Sequence, residues 1–283
     1  MQYILMCLIA ILHAVESVFQ KEYERKCEKP NCFFFSATVA ASALVVFLIT
    51  SRLDLHFSLA VFWHSLGFGA AYAICTIAYF LAIRCGSLAL TTLIYSYSLL
   101  VPAVYGLIFL HEKLSVFGII GIILFILSLL FIGLKKEKAQ FSVKWLIYVV
   151  IAFFSNGMCA TTQKIQQMAF NGAYKNEFMI GALAICVVSL FITSVIAKEN
   201  PKENLGACLG FGAAYGVSNG IINYIILILT GLIPSAILFP SISGAGVVLG
   251  FVFAVLFYRE RLTRLQIIGY FIGTLSVILL NLN

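Results

Sequence analysis

Glu16 is set inside an apolar run, whereas the other ten of the 11 Asp and Glu residues lie in or beside polar breaks. His13, Glu16 and Gln20 follow i, i+3, i+7 spacing, which puts them on one face of a helix. Another apolar run carries Asn156, Cys159 and Gln163 at the same spacing, and a third carries Tyr215, Asn219 and Asn223 at i, i+4, i+8. Tyr72, Thr76 and Phe80 repeat that last spacing, and Tyr95, Ser98, Pro102 and Tyr105 share one side of a further run. A carboxyl can exchange a proton for a cation, an amide both donates and accepts, and a tyrosine ring offers its face to a cation. That chemistry is binding and proton exchange, not bond cleavage. Each group also has a plainer reading. Glu16 would reach water from near a helix end, and the tyrosines and amides would bond helix to helix.

The elements that must position these groups follow from composition. Of 283 residues, 62% are hydrophobic and 10% charged, with a mean hydropathy of +1.06. Soluble domains carry about a quarter charged residues, so this is a polytopic membrane chain. A soluble enzyme, a disordered chain, a disulfide scaffold and a nucleic-acid binder are excluded. Apolar runs between polar breaks predict ten spans, at about 3–20, 32–50, 57–83, 87–110, 114–134, 144–164, 177–197, 204–230, 234–257 and 262–282. They must be helices, because lipid cannot satisfy exposed backbone groups and the runs lack the alternation of a membrane barrel. Before Glu16 there is no charged side chain, so the first run is expected to remain as a helix rather than be cleaved as a signal.

The chain repeats itself. LGFGAAY at 66–72 recurs at 209–215, and the same offset aligns Gln20-Lys21 with Gln163-Lys164 and Ile49-Thr50 with Ile192-Thr193. After one five-residue shift, Ser87, Glu112, Leu114, Gly121 and Ser128 align with Ser235, Glu260, Leu262, Gly269 and Ser276. The expected fold is therefore all-α, ten transmembrane helices in two repeats, 1–138 and 139–283. Five spans per half make the second repeat inverted, a geometry suited to alternating access around a site near the midplane.

The pattern resembles the ten-helix EamA-type members of the drug/metabolite transporter superfamily. The resemblance is carried by HEKLSVFGIIG (111–121) and RERLTRLQIIG (259–269), by the Gly-spaced helix that ends each repeat, and by Gly157 to Lys164 in the sixth span. Lys21 is retained in the first span, with Ala14 in place of that glycine, and Pro102 has Gly250 at its duplicate position. The resemblance implies a secondary transporter, not an enzyme, moving an amino-acid-like metabolite or organic cation across the cell membrane as a monomer. In related small multidrug transporters a first-helix glutamate takes both proton and substrate. Glu16 matches that role, with His13, Gln20, Tyr72, Tyr95, Asn156, Tyr215, Asn219 and Asn223 as substrate-binding residues. The alternative is a translocator of lipids or lipid-linked sugars, or a subunit of one, which would need a lateral gap between helices.

Other signals read as structural. Gly206-Gly210 and Gly212-Gly216-Gly220 predict close helix packing. Glu112 and Glu260 read as turn residues that cap a helix or pair within the loop, and Lys21 and Lys164 carry two readings, attraction of an anionic substrate group or the plainer one of helix-end lysines meeting headgroups. No metal motif and no phosphate-cradling loop occurs, so no cofactor is expected. Eight scattered cysteines read as small core residues. If the N-terminus were cytoplasmic, the cytoplasmic loops would hold only Arg52, Lys113, Lys164 and Lys175 of 18 basic residues. The positive-inside rule therefore predicts both termini outside.

Overall fold

The computed structural model describes residues 2–27, 29–52, 54–86, 91, 94–133, 142–258 and 263–282, with side chains described except at 17, 246–248 and 250–258. Ser87, Glu260 and Leu262 of the repeat alignment lie outside the described residues, as does the side-chain environment of Gly250. The described residues form ten α-helices and no strand. They are α1 (Gln2–Lys26), α2 (Cys32–Thr50), α3 (Leu59–Cys85), α4 (Leu100–Phe109), α5 (Val116–Gly133), α6 (Val143–Ala169), α7 (Lys175–Ile196), α8 (Leu205–Thr230), α9 (Ser235–Tyr258) and α10 (Arg264–Leu280). Every span expected from the sequence holds one of them.

Among the described residues six helices are long and apolar enough to cross a membrane: α1, α2, α3, α6, α7 and α8. The remaining apolar stretches, Ile94–Phe109, Val116–Phe131, Ser235–Ala245 and Arg264–Leu280, are shorter. Large apolar side chains point outward, among them Val188, Phe191 and Val195 on α7 and Phe271, Leu275 and Ile278 on α10, each half or more exposed. In water such patches would aggregate; on a bilayer-spanning protein they meet lipid.

α1 runs six residues past the expected span end. Lys, Glu and Arg are good helix formers, and the extension is braced by Gln20 Nε2 donating to Glu24 at 3.0 Å and Arg25 pairing with Glu22 at 2.7 Å. A capping box starts α10: Gln266 N–H donates to Thr263 Oγ1 at 3.3 Å, and the Gln266 side chain accepts from Thr263 N–H at 3.0 Å.

Contacts divide the chain into two compact units, one of 1–14, 78–161 and 232–283, the other of 15–77 and 162–231. In the second unit α2 packs against α7 and α8. Gly212, Gly216 and Gly220 of α8 sit on α2, where a Cβ would strike Thr38, Val39 O and Val46 respectively. Gly206 and Gly210 differ: nothing lies within 4 Å of where their Cβ would stand, so that half of the glycine pattern is not a packing ladder. Ser65 of α3 donates to Phe178 O of α7 at 2.9 Å, above Gly181.

The loops of this unit are held by polar side chains. Glu199 accepts from Phe33 and Phe34 N–H at 3.0 and 2.9 Å, capping α2, while Glu177 in the first turn of α7 accepts from His56 N–H at 3.1 Å. Tyr23 is buried, stacks on Phe35 at 4.2 Å and accepts from Asn31 N–H at 2.9 Å. Burial beside it pushes the Cys27 thiol up in pKa, against a smaller lowering by the Tyr23 hydrogen bond.

In the first unit α5 packs on α10, and α9 on α4 and α10. Ser128 Oγ donates to Gly269 O at 2.7 Å and Ser276 Oγ to Gly121 O at 2.8 Å, a reciprocal pair joining α5 to α10. Glu112 caps α9 by accepting from Ala236 N–H at 3.2 Å, in keeping with its reading as a turn cap. Burying hydrocarbon against hydrocarbon gains little inside a bilayer, so glycine contacts and hydrogen bonds of this kind carry the association.

Candidate functional site

Glu16 is buried, 3% exposed, on the part of α1 that belongs to the second unit. In the same unit Gln163 of α6, also buried, donates through Nε2 to Asn223 Oδ1 at 2.8 Å. Asn223 Nδ2 in turn reaches Asn219, its Oδ1 at 3.0 Å and its carbonyl at 2.9 Å. The i, i+4 spacing of two asparagines on α8 thus becomes an amide relay reaching α6. Burial makes the relay directional, because each amide that accepts fixes which of its own atoms is left to donate.

Beside it stands a cation the sequence reading misplaced. Lys164 does not meet headgroups: it is 8% exposed and its Nζ donates to Thr230 O, the last residue of α8, at 3.0 Å. Helix C-terminal carbonyls lack intrahelical donors and carry partial negative charge, so a buried ammonium is well placed there. Gln166 and Gln167 are buried too, and Gln166 Nε2 donates to Ala173 O at 2.9 Å, closing the turn between α6 and α7. The run QKIQQ (163–167) was the available signal: four polar residues in five, three of them amides, suit an interior better than a headgroup layer.

The first unit holds a second polar cluster. Tyr95 OH donates to Asn156 Oδ1 at 3.0 Å, Asn156 Nδ2 donates to Ser98 Oγ at 2.6 Å, and the Tyr95 ring lies 4.7 Å from that of Tyr79. Its geometry follows from a proline. Pro102 lacks an N–H and its ring crowds the carbonyl of Ser98, and a 3-10 turn occupies Tyr97–Leu99. That tightened turn presents Ser98 to α6. Gly157 permits the approach, since a Cβ there would stand 2.5 Å from Val101 Cβ and 2.9 Å from Ser98 O.

Other expected residues lie elsewhere. Gln20 is taken by Glu24, Tyr72 stacks on Phe68 at 6.0 Å, and Tyr215 packs edge-on to Phe35 at 6.1 Å beside the Tyr23 cluster. His13 is half-buried on the part of α1 in the first unit. Among the described residues no three His, Cys, Asp or Glu side chains gather as a metal site would require.

Helices apolar enough to span a bilayer, with carboxyl, ammonium and amide groups buried among them, are those of a multi-pass membrane protein. Residues 1–134 match the family model of the EamA-like transporter family. A crystal structure of a protein superposes with a TM-score of 0.79 over 99% of this chain and 98% of its own, at 13% identity, a likeness that speaks to the fold alone. No curated protein matches the chain in sequence.

Proposed function

We propose that this transporter moves a small organic metabolite or organic cation by alternating access, with Glu16 as the group that exchanges a proton for the substrate. The observation that carries the reading is the burial of Glu16 within a membrane-spanning helix, since an ionisable side chain at such depth costs roughly 2.5–3.5 kcal/mol on insertion scales and is kept for function. Proton and cation compete for one carboxylate, and that competition is sufficient for antiport. In the unit that holds Glu16, the Gln163–Asn223–Asn219 relay supplies polar contacts to orient a metabolite.

Alternating access needs two packings of similar energy, and inverted repeats 1–138 and 139–283 would supply them. Contacts that recur under the repeat offset support this division. Ser128 and Ser276 bond reciprocally; Tyr23 hydrogen-bonds Asn31, and Gln166, its duplicate, bonds Tyr174, the duplicate of Asn31. Position 56 meets 177 and position 199 meets 34, duplicate pairs each joined by one carboxylate. Both termini lie outside on this reading, so a cysteine added after Asn283 is labelled by an impermeant reagent in intact cells.

The direct test is a thermal-shift screen of the purified monomer against metabolites and organic cations. A ligand at 100 times its Kd raises stability by about 2.7 kcal/mol. Cations that shift wild type but not Glu16→Gln, more strongly at high pH than at low, support the assignment. Equal shifts in both proteins would remove Glu16 from the site.

A further inference from the structure

Three helices of the first unit, α1, α9 and α10, enclose a cavity of about 430 Å³, a volume within the range of small-ligand sites. Each helix gives it one stripe. On α1 the stripe is Tyr3, Met6, Cys7, Ala10 and Ile11; on α10 it is Thr274, Val277, Ile278 and Asn281; on α9 it is Ser241, Ala245 and Leu249. Stripes that span seven or eight steps of 1.5 Å rise make a groove roughly 12 Å long that runs with the helices rather than across them.

The floor is closed by Met6, Ala10 and Ser241, all buried, whereas Tyr3, Ile11 and Ile278 on the rim are 62%, 49% and 53% exposed. These rim residues are continuous with the outward apolar surface that meets the bilayer, so the groove opens sideways into lipid. The polar side chains of its α10 stripe are already engaged. Thr274 donates to Tyr270 O at 2.9 Å, and Asn281 Nδ2 donates to Ser241 Oγ at 3.0 Å and Val277 O at 2.8 Å. A polar metabolite would find little there to bond. Tyr3, near the start of α1, and Asn281, just past the end of α10, bring polar side-chain groups to the lining.

We propose that this groove is a lipid site, which holds one acyl chain of a bilayer phospholipid parallel to α1. The guest matches the groove in length, direction and polarity, and the bilayer supplies it at very high local concentration. The site is separate from the transport reading, because it requires only that α1, α9 and α10 lie in the membrane.

Native mass spectrometry of the full chain, delipidated and returned to palmitoyl-oleoyl phosphatidylglycerol, tests the assignment. One phospholipid should persist on wild type under activation that strips the rest. Ala245→Trp, which fills the groove, should reduce that retained population at least about tenfold, the loss expected for roughly 1.4 kcal/mol. Ile278→Trp on the exposed rim does the same and serves where Ala245→Trp fails to fold. Phe271→Trp, on the outward face away from the groove, leaves retention unchanged. In parallel, the same phospholipid should protect Cys7 from N-ethylmaleimide while Cys85, exposed but outside the groove, stays reactive. Equal retention by wild type and both groove variants, no retained lipid on wild type, or equal protection of Cys7 and Cys85 would overturn the site.

Discussion

In α1 the pair Gln20-Lys21 stays near the surface: Gln20 turns along its own helix to Glu24, and Lys21 is exposed. In α6 the duplicate pair Gln163-Lys164 is buried, the amide on Asn223 and the ammonium on the last carbonyl of α8. The next few residues of each helix decide the difference. α1 continues with Glu22, Glu24 and Arg25, which supply intrahelical partners at i+3 and i+4. α6 continues with Ile165, Gln166 and Gln167, which supply no charge, so its polar groups find partners on other elements. The inner turns show the opposite asymmetry. α1 carries the buried acid Glu16 where α6 has the buried thiol Cys159. Two helices that align in sequence thus bury an acid in one and an ammonium in the other.

The largest effect is expected from removing the acid. Glu16→Gln nearly preserves shape, so the fold should survive, while exchange of a quaternary ammonium dye for protons in proteoliposomes falls at least about tenfold, or roughly 1.4 kcal/mol, and loses its pH dependence. Cys159→Glu placed in the Glu16→Gln background puts an acid at the duplicate position. It should not restore exchange, because the polar neighbours of α1 and α6 differ. Rescue by Cys159→Glu would show that the two helices are interchangeable.

How much of this was legible in the sequence depends on the kind of signal. Helix number followed from apolar runs, because a bilayer leaves no other way to satisfy a backbone. The buried position of Glu16 followed from its being an acid inside such a run. The Asn219–Asn223 spacing foretold a shared face, and the structure adds its partner Gln163. Lys164 was misread because local sequence gives only distance to a helix end, whereas its burial depends on the C-terminus of α8, 66 residues away. Gly157 was visible as a motif residue, but its reason, the close approach of the 3-10 turn before Pro102, is tertiary. The groove lined by α1, α9 and α10 had no sequence signature, since its lining residues resemble any lipid-facing stripe.

Structural substitutions come next in size. Gly157→Val introduces a Cβ into the Ser98–Val101 turn and overpacks it, which should cost about 3 kcal/mol and lower the unfolding temperature in detergent. The improved helix propensity recovers only about 1 kcal/mol of that strain or less. At the duplicate position Ala14→Gly creates no clash and should cost about 1 kcal/mol. Lys164→Met removes the donor from a buried helix end and should destabilise by about 2 kcal/mol, whereas exposed Lys21→Met should stay within about 0.5 kcal/mol. Comparable losses from the two lysines would erase the distinction between α1 and α6.

The finest test uses the glutamines. Gln163→Leu removes the donor to Asn223 Oδ1 and should cost about 1 kcal/mol, because a buried acceptor then loses its partner. Gln20→Leu loses only an i, i+4 bond at the surface and should cost about 0.3 kcal/mol. Replacing both members of the buried pair, Gln163→Leu with Asn223→Leu, removes the acceptor that Gln163→Leu alone strands, so the double variant should be less destabilised than the sum of the two singles. That non-additivity is specific to α6: in α1, where Glu24 is exposed and can turn to water, Gln20→Leu and Glu24→Leu should simply add. Additive losses in α6 as well would mean that the Gln163–Asn223 contact contributes nothing to stability, and the relay would then have no part in fixing these amides.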